Sequence, residues 1–410
     1  MKQKPSLIEF FNEESPGVGV AYKNKMLKKA IIRQLNNESD LTIPELSRDL
    51  KISIPKTTEL VNELIKQGMV LDLGKIDSTG GRRANIYGLL STACYFVGVD
   101  VRRYYINIGV MDFKKHMVKI EEKIPYRLDN TPEALQELIA VIKKFLKDCG
   151  IVRSKILSVG ISLSGGVNNV YGYSYSFFHF QEKPLAAVIQ AEIGISTFLE
   201  NDSNAMAYAE YMHGVVSNEK DLIFINLDYG TGSGIIIGGN VYYGKSGFSG
   251  EFGHIPFFAN DIICSCGKKG CLETEVSGGA LLRQVRASLA NGVSSQILKQ
   301  KKKPEDLKLE DLIAATRQED MLLIELLSTM GEKLGRGLAV LISIFNPELV
   351  IIGGPMAETG EYLRLPVRSA INKYSLSLMN NDTQLKTSKL GERAGVIGAC
   401  LIARNKVLVL

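Results

Sequence analysis

Cys264, Cys266 and Cys271 put three of the chain's six cysteines within eight residues, in the stretch CSCGKKGCLE. Thiolates are the soft ligands zinc prefers, and a closed structural site takes four of them or a mixture with imidazole. The nearest of only four histidines is His254, ten residues upstream in GEFGHIPF. A Cys3His zinc site formed by His254, Cys264, Cys266 and Cys271 is the expectation, with Gly267 and Gly270 letting the backbone turn around the ion. Four protein ligands leave no open position for water, so its role would be structural. The alternative is three reduced, buried cysteines beside an unrelated histidine, and the Ser, Gly and Lys spacers argue against it. Glu251 and Glu273 flank the ligands. A carboxylate held in a cleft accepts hydrogen bonds from sugar hydroxyls, and a bound metal would fix both positions.

Around this cluster the chain has 410 residues and a net charge of +5. Six cysteines are too few for a disulfide scaffold, and no charged-then-apolar leader opens the sequence. A reducing cytoplasmic setting is expected. No apolar run approaches the roughly 18 to 20 residues that span a bilayer, so no membrane partner is expected. The charge is too mild to identify a nucleic-acid binder by itself, because what matters is where basic groups cluster.

Residues 1–22 are polar, without lasting period, and read as a flexible arm. Residues 23–90 read as a winged helix-turn-helix. Met26, Ala30, Ile31 and Leu35 recur at helical spacing, and Asn36 to Asp40 end that helix with turn-forming residues. Thr42 and Glu45 have the spacing of a reciprocal cap for a second helix. A third helix starts at Ser53 or Ile54, tolerates Pro55 in its first turn and runs to about Gln67. Ser53, Lys56, Thr57 and Thr58 would face DNA in a major groove. Two strands, Met69 to Leu73 and Ile86 to Leu89, flank a Gly-rich tip carrying Arg82 and Arg83, placed for a phosphate or minor groove. The competing reading is a three-helix protein-docking domain with a solvated turn.

After about residue 91 the texture becomes α/β. Tyr95 to Asp100 and Tyr105 to Met111 read as paired strands, and Ile156 to Leu163 as a strand buried on both faces. Further strands fall at Leu222 to Leu227, Gly234 to Ile237 and Leu349 to Ile352, with a long helix from Met321 to Phe345. Two α/β lobes follow, 91–200 (completed by 392–410) and 201–391, with a cleft between them as the usual place for a small ligand.

CSCGKKGCLE resembles the CxCGxxGCxE signature of the ROK family, sugar kinases and sugar-responsive repressors with an actin-like, two-lobed fold. LENDSNAMA, LDYGTGSGIIIGG, GFSGEFGHIPF and NPELVIIGG match other family motifs in order, over roughly residues 92 to 405. With the leading winged helix, the whole chain is similar to the repressor branch. The resemblance implies that Asn201, Asp202, Glu251, His254 and Glu273 contact a sugar, with His254 also a zinc ligand. In a kinase the residue matching Asp202 would be the general base. Taken alone, Asn-Asp is more often a cap or turn pair.

Family kinases open the first lobe with Asp-x-Gly-Gly-Thr, where this chain has Asp100-Val101-Arg102-Arg103-Tyr104. Phosphoryl transfer needs close approach of backbone amides to phosphates, which large side chains obstruct. Ser164-Gly165-Gly166-Val167 also departs from the usual Pro-Gly-Pro-Val, while Gly230 to Gly234 survives, readable as a retained hairpin turn. The expectation is a non-enzymatic repressor of carbohydrate-utilisation genes. It would bind operator DNA as a homodimer, or as a pair of dimers, with a sugar or sugar-derivative effector in the cleft. The alternatives are an ATP-dependent hexose or N-acetylhexosamine kinase with an appended DNA head, and a sugar-sensing scaffold whose head docks a protein.

Overall fold

The computed structural model describes residues 10–11, 19–38, 40–75, 84–180, 182–300 and 303–408. The chain divides into two compact units, one of Met1–Leu163, Gly172–Leu199 and Ala399–Leu410, the other of Ser164–Tyr171 and Glu200–Gly398. The division thus falls at Leu199 and Gly398, and a short segment from the expected first lobe clusters with the second unit. Among the described residues no helix is long and apolar enough to cross a membrane.

The first unit begins with three helices, α1 (Val20–Asn37), α2 (Ile43–Leu50) and α3 (Ile54–Lys66), and three strands, β1 (Leu41–Thr42), β2 (Val70–Lys75) and β3 (Asn85–Leu89), in sheet order β1-β3-β2. The expected cap at Thr42 forms: the Glu45 amide donates to Thr42 Oγ1 at 3.4 Å, and the Thr42 amide donates to Glu45 Oε2 at 2.8 Å. Pro55 lies in the first turn of α3, where its missing N–H costs nothing. The expected arm over 1–22 needs correction. Phe10 and Phe11 are helical and buried, and α1 starts at Val20, inside the expected arm. Arg82 and Arg83 lie outside the described residues.

The rest of the unit is a five-stranded sheet, order β10-β7-β4-β5-β6, from β4 (Tyr95–Val101), β5 (Tyr105–Asp112), β6 (Met117–Pro125), β7 (Ile156–Leu163) and β10 (Ser196–Asn201). Two short strands, β8 (Val167–Asn168) and β9 (Tyr173–Ser174), fall between β7 and β10 in sequence. β4 pairs antiparallel with β5 and parallel with β7. Every residue of β4 and β7 is buried, as their unbroken apolar runs predict. The helices are α4 (Pro132–Asp148), α5 (Leu185–Ile193) and most of the C-terminal helix, called α12 below (Ala394–Leu408).

The second unit is built on another mixed sheet, order β13-β12-β11-β14-β15, from β11 (Leu222–Leu227), β12 (Thr231–Ile237), β13 (Asn240–Val241), β14 (Leu349–Gly353) and β15 (Gln384–Thr387). Its helices are α6 (Asp202–His213), α7 (Gly278–Ala290), α8 (Leu309–Arg317), α9 (Met321–Phe345), α10 (Glu361–Tyr374) and α11 (Ser377–Asp382), with the first residues of α12. The core between sheet and helices takes in Phe252 and Leu272, which bracket the histidine and cysteine loops.

Candidate metal centre and adjoining carboxylates

The loop after β13 reaches His254 in one 3-10 turn, Phe252–His254, whose Phe252 is anchored in the core. The cysteine segment folds back along it. Pro256 bridges Cys271, Ile263 bridges Lys269, and the Cys264 amide donates to Lys268 O at 2.8 Å. Gly270 has φ +74°, and a Cβ there would stand 2.2 Å from Phe258 O, so only glycine fits this turn. Arg336 lies 5.4 Å from the Phe257 ring centroid and Lys333 lies 5.8 Å from that of Phe258, seating the loop on α9.

His254, Cys264, Cys266 and Cys271 present ligand atoms that all lie within 4.8 Å of one another. A tetrahedral zinc with Zn–S of about 2.3 Å and Zn–N of about 2.0 Å needs edges of about 3.8 Å between sulfurs and about 3.5 Å between sulfur and nitrogen. Cys266 Sγ is 3.6 Å from Cys271 Sγ, and Cys264 Sγ is 3.4 Å from His254 Nδ1. The donor set fits such an ion in type and spacing. Burial pushes the Cys264 thiol up and that of Cys271 up to about 12, so a metal taking them as thiolates displaces protons.

The other imidazole nitrogen, Nε2, lies 3.8 Å from Glu251 Oε2. Burial raises the Glu251 carboxyl, with His254 opposing that shift. Glu273 Oε2 accepts from the Thr231 amide at 3.0 Å, and Oε1 accepts from Ser265 Oγ at 3.2 Å and from Cys264 Sγ at 3.4 Å. Glu273 thus ties the thiol loop to β12. A Cβ at Gly230 would stand 2.7 Å from Glu273 Oε2, one at Gly232 2.3 Å from Ser203 Oγ, and one at Gly234 2.5 Å from Ser203 O. Each of these glycines therefore stands close against a neighbouring group.

Asn201 and Asp202 open α6. Asn201 Oδ1 accepts from the amides of Ser203 at 2.9 Å and Asn204 at 3.2 Å, and its Nδ2 donates to Gly165 O at 3.0 Å. Its side-chain amide therefore serves as helix cap and loop tether. Asp202 Oδ1 accepts from the Ser203 amide at 2.7 Å, and Oδ2 from Asn226 Nδ2 at 3.3 Å. The structure joins His254 and Glu273 to the Cys264 thiol directly and Glu251 to it through His254, while Asp202 bonds to Ser203 and Asn226. The sequence reading passed over Glu200, although it lies in the quoted LENDSNAMA. It is 2% exposed and accepts from Tyr243 Oη at 2.9 Å, the Asn201 amide at 3.0 Å, and Asn169 and Asn204 Nδ2, each at 3.2 Å.

In the first unit, Asp100 is wholly buried and accepts from Arg102 Nε at 2.7 Å. Ser162 Oγ and Asn107 Nδ2 add bonds to the same carboxylate at 3.3 and 3.4 Å. Arg102 is 5% exposed, so a paired guanidinium fills the turn between β4 and β5.

On α3 the expected DNA face is partly overturned. Thr57 is wholly buried, its hydroxyl donating to Ser53 O at 3.1 Å. Lys56 Nζ donates to both oxygens of Glu59 at 2.9 Å. Ser53 and Thr58 are exposed as expected, and with them Ile54 and Asn62. Successive helical residues stand about 100° apart, so 56, 57 and 58 cannot share a face; 54, 58 and 62 can.

The ROK family profile matches residues 96–406, and a winged helix-turn-helix DNA-binding profile matches residues 27–70. The chain is 28% identical over 389 residues to the xylose repressor of Bacillus subtilis (strain 168), covering 94% of this chain and 97% of that one. It is 25% identical over 378 residues to the DNA-binding transcriptional dual regulator NagC of Escherichia coli (strain K12), covering 92% and 91%. A ROK family transcriptional regulator described as a homolog of the E. coli MLC protein superposes with TM-score 0.78 at 25% identity, covering 95% of this chain and 98% of that one. A ROK family glucokinase from Streptomyces griseus, solved with glucose and AMPPNP, gives 0.67 at 28%, covering 76% and 99%. With its motifs in order, its two mixed sheets and a profile match over most of its length, this chain belongs to the ROK family.

Proposed function

We propose that the chain is a sugar-responsive transcriptional repressor that binds operator DNA as a homodimer, in the cytoplasm, where reduced thiols are available to a metal. The observation that carries the reading is the exposed face of α3, Ser53, Ile54, Thr58 and Asn62, on a chain whose β4–β5 turn is filled by the buried Asp100–Arg102 pair. One short helix reads too few base pairs for selective binding, so two copies on two half-sites are needed. His254, Cys264, Cys266 and Cys271 would hold a structural zinc, which stiffens the loop presenting Glu251 and Glu273 to sugar hydroxyls in the second unit. His254 Nε2–H and Asp202 would complete the polar set. The effector acts only through a difference in affinity between the arrangements that bind and release DNA.

Selection of genomic fragments by the purified chain, followed by anisotropy titration of the recovered duplex, tests the reading. D-xylose and N-acetyl-D-glucosamine are the first effectors to try, since repressors named for those sugars are among the relatives. Sequence-specific binding shifted by a sugar is expected. Failure to retain any fragment at low salt would instead favour a protein-docking head.

The similarity to a glucokinase solved with AMPPNP, together with Gly230 to Gly234, supports a second reading as a sugar kinase. ATP turnover with hexoses or N-acetylhexosamines, abolished by Asp202→Asn, would establish it.

A further inference from the structure

The DNA head shares a core with the sheet it precedes. Ile31, Leu46, Leu60 and Leu64 of the head form one cluster with Phe96, Phe113, Leu157 and Leu408. At the centre of this seam lies Arg404, near the end of α12 and 1% exposed. Its guanidinium stands 5.9 Å from the ring centroid of Phe96 and 5.7 Å from that of Phe113. Nη2 donates to Phe113 O at 3.0 Å and to Asn36 Oδ1 at 2.6 Å, and Nε donates to Phe113 O at 3.3 Å. Asn36 is in the last turn of α1. One side chain of the C-terminal helix thus holds both the β5–β6 turn and the first helix of the reader.

We infer that Arg404 is a positioning residue, locking the winged helix in one orientation on the first sheet so that α3 meets DNA already ordered. The inference rests on the DNA-binding reading above.

Three observations carry it. First, the base of the lock is rigid: Ser158 Oγ donates to Ala403 O at 3.1 Å, and a Cβ at Gly160 would stand 2.1 Å from Ala399 O, so α12 lies directly on β7. Second, the neighbouring contacts converge on the same end of the head. Lys115 Nζ donates to Asn36 O at 3.4 Å, Lys114 Nζ pairs with Asp40 Oδ1 at 3.4 Å, and the Phe11 ring meets that of Phe113 at 6.4 Å. Third, docking leaves Ser53, Ile54, Thr58 and Asn62 exposed, so the head is seated without hiding its reading face. An apolar residue could fill this space at less desolvation cost. What arginine adds is direction, through a planar fork of donors shared between two elements. Ordering the head before it binds removes an entropic cost from DNA association.

The test uses the full-length chain, the operator duplex it selects, and the variants Arg404→Met, Asn36→Ala and the double. Each single change should weaken operator affinity about tenfold by giving back that ordering cost. Backbone hydrogen exchange should rise in α1 to α3 and stay unchanged in β4 and β7. The double variant should bind no more weakly than the weaker single, because both changes cut one link. Wild-type affinity and head exchange in Asn36→Ala would overturn the inference, as would multiplying losses or tighter binding by either variant. If Arg404→Met does not fold, Asn36→Ala decides alone, since it leaves the buried guanidinium's packing in place. If the wild-type chain binds no DNA, the proposed function fails, and exchange in Asn36→Ala still decides whether the lock exists.

Discussion

At the scale of single residues, the turn between β4 and β5 buries charge. Asp100 and Arg102 form a buried ion pair at 2.7 Å inside the first unit. Removing the guanidinium takes from the buried Asp100 its charged partner and keeps Ser162 and Asn107 among its donors, at a cost of up to roughly 3–5 kcal/mol. Arg102→Ala should therefore lower stability by about that amount in urea titrations and gain no ATP turnover. Glu200 poses the opposite problem: burial drives its carboxyl upward, and four donors only partly offset this. A carboxyl raised in the folded state contributes stability that is full below its unfolded value and lost as pH rises through the folded one. Glu200→Gln should flatten the decline in melting temperature above the ordinary carboxylate range; an unchanged slope would assign that decline to other groups. Thr57 and Thr58 make a control pair. Thr57→Ala removes a buried hydroxyl bond and should cost about 1 kcal/mol of stability, while Thr58→Ala should weaken operator binding and leave the melting temperature alone.

At the scale of elements, the clustering of His254 with the three thiols was legible because chemistry and geometry coincide in that stretch. Three thiols separated by Ser, Gly and Lys do not follow a helix or strand period, and Gly267 and Gly270 stand where φ is positive. The strands β4, β7 and β11 and the helix α9 were legible from unbroken apolar runs or helical period. The Phe10–Phe11 docking was not, because two aromatics in a polar segment have no period to read, and the cluster that buries them includes Phe113, a hundred residues away. Nor does helical period separate a buried Thr57 from an exposed Thr58 without counting faces. If the loop binds zinc, elemental analysis should find about one ion per chain, and Cys271→Ser should abolish it. Chelation should then lower the melting temperature and raise proteolysis near Lys268 and Lys269, both exposed. Full stability in strong chelator, with no metal in freshly purified protein, would remove the zinc reading and leave the carboxylates on an unbraced loop.

At the scale of the whole chain, the boundary near residue 90 is visible as a change of texture, yet nothing in the sequence says that the two sides depend on each other. The shared core says that they do. Cutting after residue 90 would strip Ala93, Cys94, Phe96, Phe113, Leu157 and Leu408 from the cluster that also holds Ile31, Leu46 and Leu64. A fragment of this size has only a marginal surplus of buried apolar surface over chain entropy, and this head would also lose one wall of its core. The fragment 1–90 should therefore melt broadly or lack a cooperative transition, with operator affinity near its non-specific level. In the full chain, amides of α1 and α3 should exchange at rates close to those of β4 and β7, as expected of one cooperative unit. A fragment that folds sharply and binds the operator like the intact chain would show that the head is merely tethered, and that any sugar signal reaches DNA through a linker instead of through the seam at Arg404.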